Sequence, residues 1–157
     1  MKIISVNPNK CTACRLCELA CSMKHNGVYN PALSRIHAMI FQDEAFYAPI
    51  TCLQCDDAPC ERACPNGSIK KNEQTGVVEL DQERCFGCKM CMLACPFGVM
   101  NFNEKGGHAM KCNNCDGQPE CVLYCAPGAL EYREVTSSVD FKKKSFAEKI
   151  KQACAEV

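Results

Sequence analysis

Cys85-Phe86-Gly87-Cys88-Lys89-Met90-Cys91-Met92-Leu93-Ala94-Cys95-Pro96 is the stretch on which the fold turns. Three cysteines stand two residues apart, a fourth follows after three more, and a proline closes the run. Three thiols at that spacing can curl round one cubane and take three of its corners, while the fourth, a helical turn further on, points away to a second. Soft thiolates suit iron–sulfur clusters. The run therefore reads as a [4Fe–4S] ligand set, and its fourth cysteine as a ligand to a neighbouring cluster.

Working outward, sixteen of the seventeen cysteines fall into four such groups. Group I is Cys11, Cys14, Cys17 and Cys21; group II is Cys52, Cys55, Cys60 and Cys64. Group III is Cys85, Cys88, Cys91 and Cys95; group IV is Cys112, Cys115, Cys121 and Cys125. Groups I and III share their spacing, a basic residue after the second cysteine (Arg15, Lys89) and Leu-Ala before the last. Groups II and IV share a longer second gap, an Asp after the second cysteine (Asp56, Asp116) and a Pro shortly before the third (Pro59, Pro119). The chain thus reads as a duplicated unit, I–II then III–IV. Gly67, Gly98 and Gly128 each stand three residues after a fourth cysteine, with a proline between, which stops a helix and turns the backbone. Group I departs from this with Cys21-Ser22-Met23-Lys24, which changes the exit of the chain and not the ligand supply.

Composition agrees. Seventeen cysteines in 157 residues is roughly 11%, above the ~8–10% that marks a cysteine-specialised chain. Leu, Ile, Val and Phe total 31 residues and Trp is absent, so carbon side chains alone make a thin core. Something held by the cysteines completes it. No stretch of ~18 apolar residues occurs, which argues against a membrane span. Met1–Val6 reads as a strand with no charged-then-apolar leader and no twin-arginine pair, so a cytoplasmic location is expected. The 18 basic and 18 acidic residues balance, which gives no footprint for nucleic acid. Ligation changes that balance: sixteen thiolates and four oxidised cores bring the loaded protein to about −8.

Two plainer readings compete. Four zinc sites would also need sixteen cysteines, but zinc sites put a long spacer between their pairs. A disulfide scaffold needs an oxidising compartment and leaves the repeats unexplained. How the four groups pair is open in three ways. Sequential pairing, I with II and III with IV, follows the duplication. Nested pairing, II with III and I with IV, follows the hairpin expected between groups II and III. Short strands are expected at 2–6, 35–41, 68–72, 76–80, 98–103, 107–111 and 129–134, with hairpin turns at 71–76 and 106–107. Short helices are expected at 15–21, 60–63, 89–94 and 119–124.

With these residues in view, the chain resembles the four-cluster ferredoxin-like electron-transfer subunits of multi-subunit redox enzymes. Relatives of this kind include the iron–sulfur subunits of dimethyl sulfoxide reductase, formate dehydrogenase, formate hydrogenlyase and carbon monoxide dehydrogenase–hydrogenase systems. The resemblance covers about residues 1–134. It is carried by the cysteines together with Asn30-Pro31-Ala32-Leu33-Ser34-Arg35-Ile36, Cys52-Leu53-Gln54-Cys55-Asp56-Asp57-Ala58-Pro59-Cys60 and Cys95-Pro96-Phe97-Gly98. Its compactness is most similar to the small subunit of tungsten enzymes of the aldehyde oxidoreductase family, which includes tungsten-dependent benzoyl-CoA reductase. The resemblance implies an α+β fold of tandem two-[4Fe–4S] ferredoxin-like modules (II with III, I with IV) over 1–134. It implies four clusters: Cys11, Cys14, Cys17 and Cys125; Cys52, Cys55, Cys60 and Cys95; Cys64, Cys85, Cys88 and Cys91; Cys21, Cys112, Cys115 and Cys121. It further implies a wire that relays electrons between a large tungsten- or molybdenum-pterin catalytic subunit and a second partner, a flavin/NAD-binding subunit or a ferredoxin. The rivals are a free polyferredoxin and the equivalent subunit of a hydrogenase or carbon monoxide dehydrogenase complex.

Outside the groups, Phe86, Phe97 and Tyr124 are expected to pack over the clusters and exclude water. His25, His37 and His108 are expected on the surface or in loops, with no paired carboxylate. No nucleophile triad, phosphate loop or dinucleotide fingerprint is present, so the chain is expected to transform no organic substrate by itself. Residues 135–157 form a distinct tail. Ser138-Val139-Asp140 can cap a helix whose Phe146, Ile150, Ala153, Cys154 and Val157 share one face. That helix is expected to dock on the catalytic partner or another copy, or to fold back on its own body, with Cys154 a buried thiol. The ligand reading has a direct check: anaerobically purified protein should carry roughly sixteen irons and matching sulfide per chain, whereas stoichiometric zinc without iron would overturn it.

Overall fold

The computed structural model describes residues 1–135 together with Lys143 and Ala147. The tail helix and Cys154 otherwise lie outside the described residues. Over residues 1–135 the fold is α+β, built from four antiparallel strand pairs and four α-helices. Strand β1 (Lys2–Val6) pairs with β8 (Leu130–Glu134), joining the two ends of the described body. The Met1 amine donates to the Val135 carbonyl at 3.2 Å, which extends this pair. Strand β2 (His37–Phe41) pairs with β3 (Phe46–Ile50). Strand β4 (Ile69–Lys71) pairs with β5 (Val78–Leu80), and β6 (Asn101–Asn103) with β7 (His108–Met110).

Seven of these strands stand where alternation and turn residues place them; β3 does not. Its Pro49 has no N–H to give a ladder and reads against a strand. In a two-stranded hairpin every strand is an edge, and Pro49 sits opposite Ala38 without breaking the register.

Helix α1 (Leu16–Asn26) runs five residues beyond the expected end. The reason is the departure at Ser22. The other groups place a proline one or two residues after the fourth cysteine, and their helices stop there: α2 (Pro59–Arg62), α3 (Met90–Ala94) and α4 (Glu120–Leu123). Nothing stops α1 until Gly27, which adopts φ 68° and donates its N–H to the Met23 carbonyl at 2.9 Å.

Helix α1 packs on α4, and α2 on α3. Two apolar cores follow. One gathers Ile4, Ile36, Val99 and Leu130 around Cys21, Cys52, Cys112 and Cys121. The other gathers Ile69, Val78, Met100 and Ala109 around Cys60 and Cys91. Cysteine supplies a large share of both, which accounts for the thin complement of carbon side chains. Among the described residues no helix is long and apolar enough to cross a membrane.

Gly87 sets group III against the β6–β7 turn. It adopts φ 77°, and a Cβ there would strike the Gly107 carbonyl oxygen. Gly27 shares the left-handed backbone, but its Cβ would meet nothing within 4 Å. Gly87→Ala should therefore cost roughly 1–3 kcal/mol more than Gly27→Ala. Anaerobic thermal melts of the two variants check this; equal melting points would contradict it.

Candidate metal centres

One backbone device recurs in all four groups. The residue just before each second cysteine lies in the left-handed region: Ala13 at φ 55°, Gln54 at 48°, Gly87 at 77° and Asn114 at 57°. This reversal turns the two cysteines of each C-x2-C toward one space, and such local turns aim successive N–H groups at an anion. In groups I and III the residue after the second cysteine, Arg15 or Lys89, is left-handed too and opens the helix that carries the third. At Ala13 and Gln54 this conformation costs about 1–2 kcal/mol each, whereas asparagine, as at Asn114, tolerates it.

Three cavities lie at the ends of these turns. The first is walled by Cys52, Cys55, Cys60 and Cys95 with Ala58, Pro59, Val78, Val99, Met100 and Lys111. The second is walled by Cys64, Cys85, Cys88 and Cys91 with Ile69, Leu80 and Ala109. The third is walled by Cys11, Cys14, Cys17 and Cys125 with Ala38, Pro49 and Leu130. The remaining four thiols meet around Cys121. Burial first, then the thiols of Cys112, Cys21 and Cys115, push the Cys121 thiol up.

Burial dominates the electrostatics. It pushes Cys60 and Cys112 up to about 11, and Cys17, next to Glu18, up to about 12. Cys64 goes the other way. Its slight burial is outweighed by the N–H groups of Ile69, Ser68 and Asn66 and the Ser68 hydroxyl, which favour the thiolate. The turn Asn66-Gly67-Ser68 thus provides donors to sulfur as well as an exit for the chain.

Two polar features join the walls. Gln54, fully buried, donates to the Cys112 carbonyl at 2.9 Å and accepts from the Val78 N–H at 3.0 Å. Asn114, equally buried, donates to the Lys2 carbonyl of β1 at 3.1 Å. Lys111, 3% exposed, donates to Cys52 Sγ at 3.3 Å and to Gln54 Oε1 at 3.1 Å. On the other side, the Arg35 N–H donates to Cys21 Sγ at 3.3 Å, and its guanidinium to Asn113 Oδ1 at 3.2 Å. Gln54 stands within the Cys52–Cys60 stretch that carries the resemblance, whereas Lys111 and Asn114 carry no motif that marks them beyond their place beside ligand cysteines.

Two expectations need correction. Phe86, Phe97 and Tyr124 do line the cavities, but they stay 63%, 40% and 56% exposed, so they screen one side and do not seal it. His37 does have a carboxylate nearby, its Nδ1 lying 3.8 Å from Glu18 Oε1. Glu18 is buried on α1 and also accepts from the Arg15 Nε and the Ala38 N–H, at 2.7 and 2.8 Å. The β2–β3 hairpin brings His37 there, a contact across nineteen positions that local sequence does not show. His25 lies half-buried with Nε2 3.5 Å from Cys115 Sγ.

The donor set fits [4Fe–4S] clusters. Each of the three cavities presents four soft thiols on otherwise largely apolar walls, which favours iron–sulfur over hard cations. Among the described residues no three His, Cys, Asp or Glu side chains converge as a single-ion site requires; the thiols are spread around the walls instead. When bound, such a cluster supplies one-electron chemistry.

The family comparisons agree with this chemistry. A family model described as a 4Fe-4S dicluster domain matches residues 43–132, and one described as a 4Fe-4S binding domain matches residues 8–24. The polyferredoxin-like subunit of aliphatic sulfonate oxidoreductase from Pyrococcus furiosus is 41% identical over 123 residues, or 78% of this chain and 70% of that protein. One subunit of the anaerobic dimethyl sulfoxide reductase of Escherichia coli is 33% identical over 145 residues, or 81% of this chain and 70% of that protein. Among solved structures, a component of the benzoyl coenzyme A reductase active-site complex BamBC matches with a TM-score of 0.53 at 24% identity. That match covers 100% of this chain and 98% of the other, and it shows the shared fold.

The buried amide at Gln54 gives a test of the site's scaffold. Gln54→Leu leaves the buried Val78 N–H without its partner and takes one acceptor from Lys111, and should destabilise by about 2–4 kcal/mol. Anaerobic guanidinium titration followed by circular dichroism measures it; an unchanged midpoint would show that the amide is dispensable.

Proposed function

The chain belongs to the 4Fe-4S dicluster-domain family, and we propose that, as an iron–sulfur electron-transfer subunit, it serves a tungsten- or molybdenum-pterin oxidoreductase in the cytoplasm. It carries four [4Fe–4S] clusters. Cluster one takes Cys11, Cys14, Cys17 and Cys125; cluster two takes Cys52, Cys55, Cys60 and Cys95. Cluster three takes Cys64, Cys85, Cys88 and Cys91; cluster four takes Cys21, Cys112, Cys115 and Cys121. The observation that carries this reading is that each of three cavities is lined by four thiols, three from one group and one from another.

That exchange favours nested pairing, and so two ferredoxin-like modules within residues 1–134, groups II with III and I with IV. The packing of α2 on α3 and of α1 on α4 supports the same division. Interleaved ligands keep neighbouring clusters close, as an electron wire needs. One end of the wire faces the pterin subunit. The other faces a flavin/NAD-binding subunit or a ferredoxin. The tail, 135–157, docks on the catalytic partner or on a second copy. The chain's own residues bind, orient and shield the clusters; the partner chooses the substrate.

Isolation of the tagged chain, under anaerobic conditions and from its own source, tests the assignment. The expected product contains a larger subunit, stoichiometric tungsten or molybdenum, and pterin fluorescence after acid oxidation. A chain that purifies alone, fully loaded with iron and reducible by small donors, would favour the free polyferredoxin. Nickel in the complex in place of tungsten or molybdenum would favour the hydrogenase or carbon monoxide dehydrogenase type.

A further inference from the structure

Lys111 is a buried cation that no carboxylate answers among the described residues. Its ammonium has three N–H donors, and four acceptors surround it. These are the Val78 carbonyl at 2.6 Å, Gln54 Oε1 at 3.1 Å, the Cys112 carbonyl at 3.2 Å and Cys52 Sγ at 3.3 Å. Among the described residues none of the ion pairs involves Lys111. A lone ammonium taken out of water is costly unless a negative charge compensates it. Of the four acceptors, the one that becomes an anion is the Cys52 sulfur, once it is a cluster ligand.

We propose that Lys111 raises the reduction potential of the cluster held by Cys52, Cys55, Cys60 and Cys95 by holding a positive charge against Cys52 Sγ. The proposal rests on the four-cluster reading and adds an order to the wire. Reduction adds one electron to the core and makes the cluster and its thiolates more negative by one charge. A fixed cation in contact with a ligand sulfur stabilises the reduced form over the oxidised one. Hydrogen bonds to sulfur and net local charge are established determinants of such potentials. The surroundings favour a large effect, because Lys111 is 3% exposed and shares its cavity wall with Val78, Val99 and Met100. Low polarity and exclusion of water weaken screening.

Position centres the effect on one cluster, since the hydrogen bond to sulfur falls on Cys52 and the charge also acts on Cys60 of the same set, while the Cys112 thiol feels it more weakly through space. Lys111 Nζ touches a thiol of group II but only a backbone carbonyl of group IV, at Cys112. The cavities walled by groups I and III have no lysine or arginine donating to a sulfur of theirs among the hydrogen bonds of the described residues. Lys111 is thus a positioning charge that favours the reduced form of cluster two, and Arg35 holds a corresponding place beside the Cys21, Cys112 and Cys115 thiols.

The experiment is a dithionite titration of the holoprotein, monitored by electron paramagnetic resonance, for wild type, K111R, K111Q and K111M, with iron counted in each. The expected result is sixteen irons throughout and one couple moved to lower potential in K111M. A smaller move is expected in K111Q, which keeps an N–H donor but no charge, and a near-wild-type value in K111R. Full iron with unchanged potentials in K111M overturns the proposal, as does an equal drop in K111R and K111M. Loss of iron from all three variants assigns Lys111 to assembly alone and also overturns it. Absence of iron from the wild type would instead overturn the four-cluster reading, and this proposal with it.

Discussion

Each cage depends on one backbone reversal, the left-handed residue that precedes the second cysteine of its group. Without it, two cysteines three positions apart in an extended chain would point to opposite sides. Gly87 adopts it without strain and Asn114 tolerates it, but Ala13 and Gln54 do so against their own preference. The buried thiols are a second opposing term, since burial holds Cys17, Cys60 and Cys112 well above the ordinary thiol range. Metal–thiolate bonding offsets both terms, because ligand binding that requires the folded site is itself folding free energy. The inorganic core is therefore a structural element as much as a redox one. It stands where a chain of this length would otherwise need more leucine and isoleucine.

The second consequence is interlocking. A group that places three thiols on one cavity wall sends its fourth to another wall, so neither space can be completed by one segment. The two ends of the described body follow the same logic, with β1 and β8 paired across its length. At the junction between the two cores lies a polar seam of Lys111, Gln54 and Asn114. It reaches from the Val78 N–H of β5 to the Lys2 carbonyl of β1. Buried polar groups of this kind are stable only when fully partnered. The seam therefore fixes one arrangement of the two halves where apolar packing would tolerate several.

Most of the scaffold was legible because iron–sulfur ligation leaves a covalent spacing code. The four groups, the proline stops and the Gly turns each follow from local residues. What escaped was non-local or depended on an absence. The strand at 46–50 was hidden by Pro49, whose missing N–H matters only on a paired edge. The extension of α1 followed from Ser22 standing where the other groups bring in a proline stop. Glu18 and His37 meet only because a hairpin folds over α1. Lys111 looks like any surface lysine until the cavity wall closes around it, and the exposure of Phe86 and Tyr124 depends on which side of each cavity the chain leaves uncovered. Composition reported the thin core correctly but could not say which side chains would seal it.

Interleaved ligands would hold neighbouring clusters side by side on shared segments. The electron paramagnetic resonance spectrum of the fully dithionite-reduced protein tests this most directly. Clusters held by interleaved ligands should couple magnetically when all are reduced, giving broad, interaction-split signals that sharpen on partial oxidation. A spectrum that is simply the sum of isolated, non-interacting signals at every degree of reduction would contradict it.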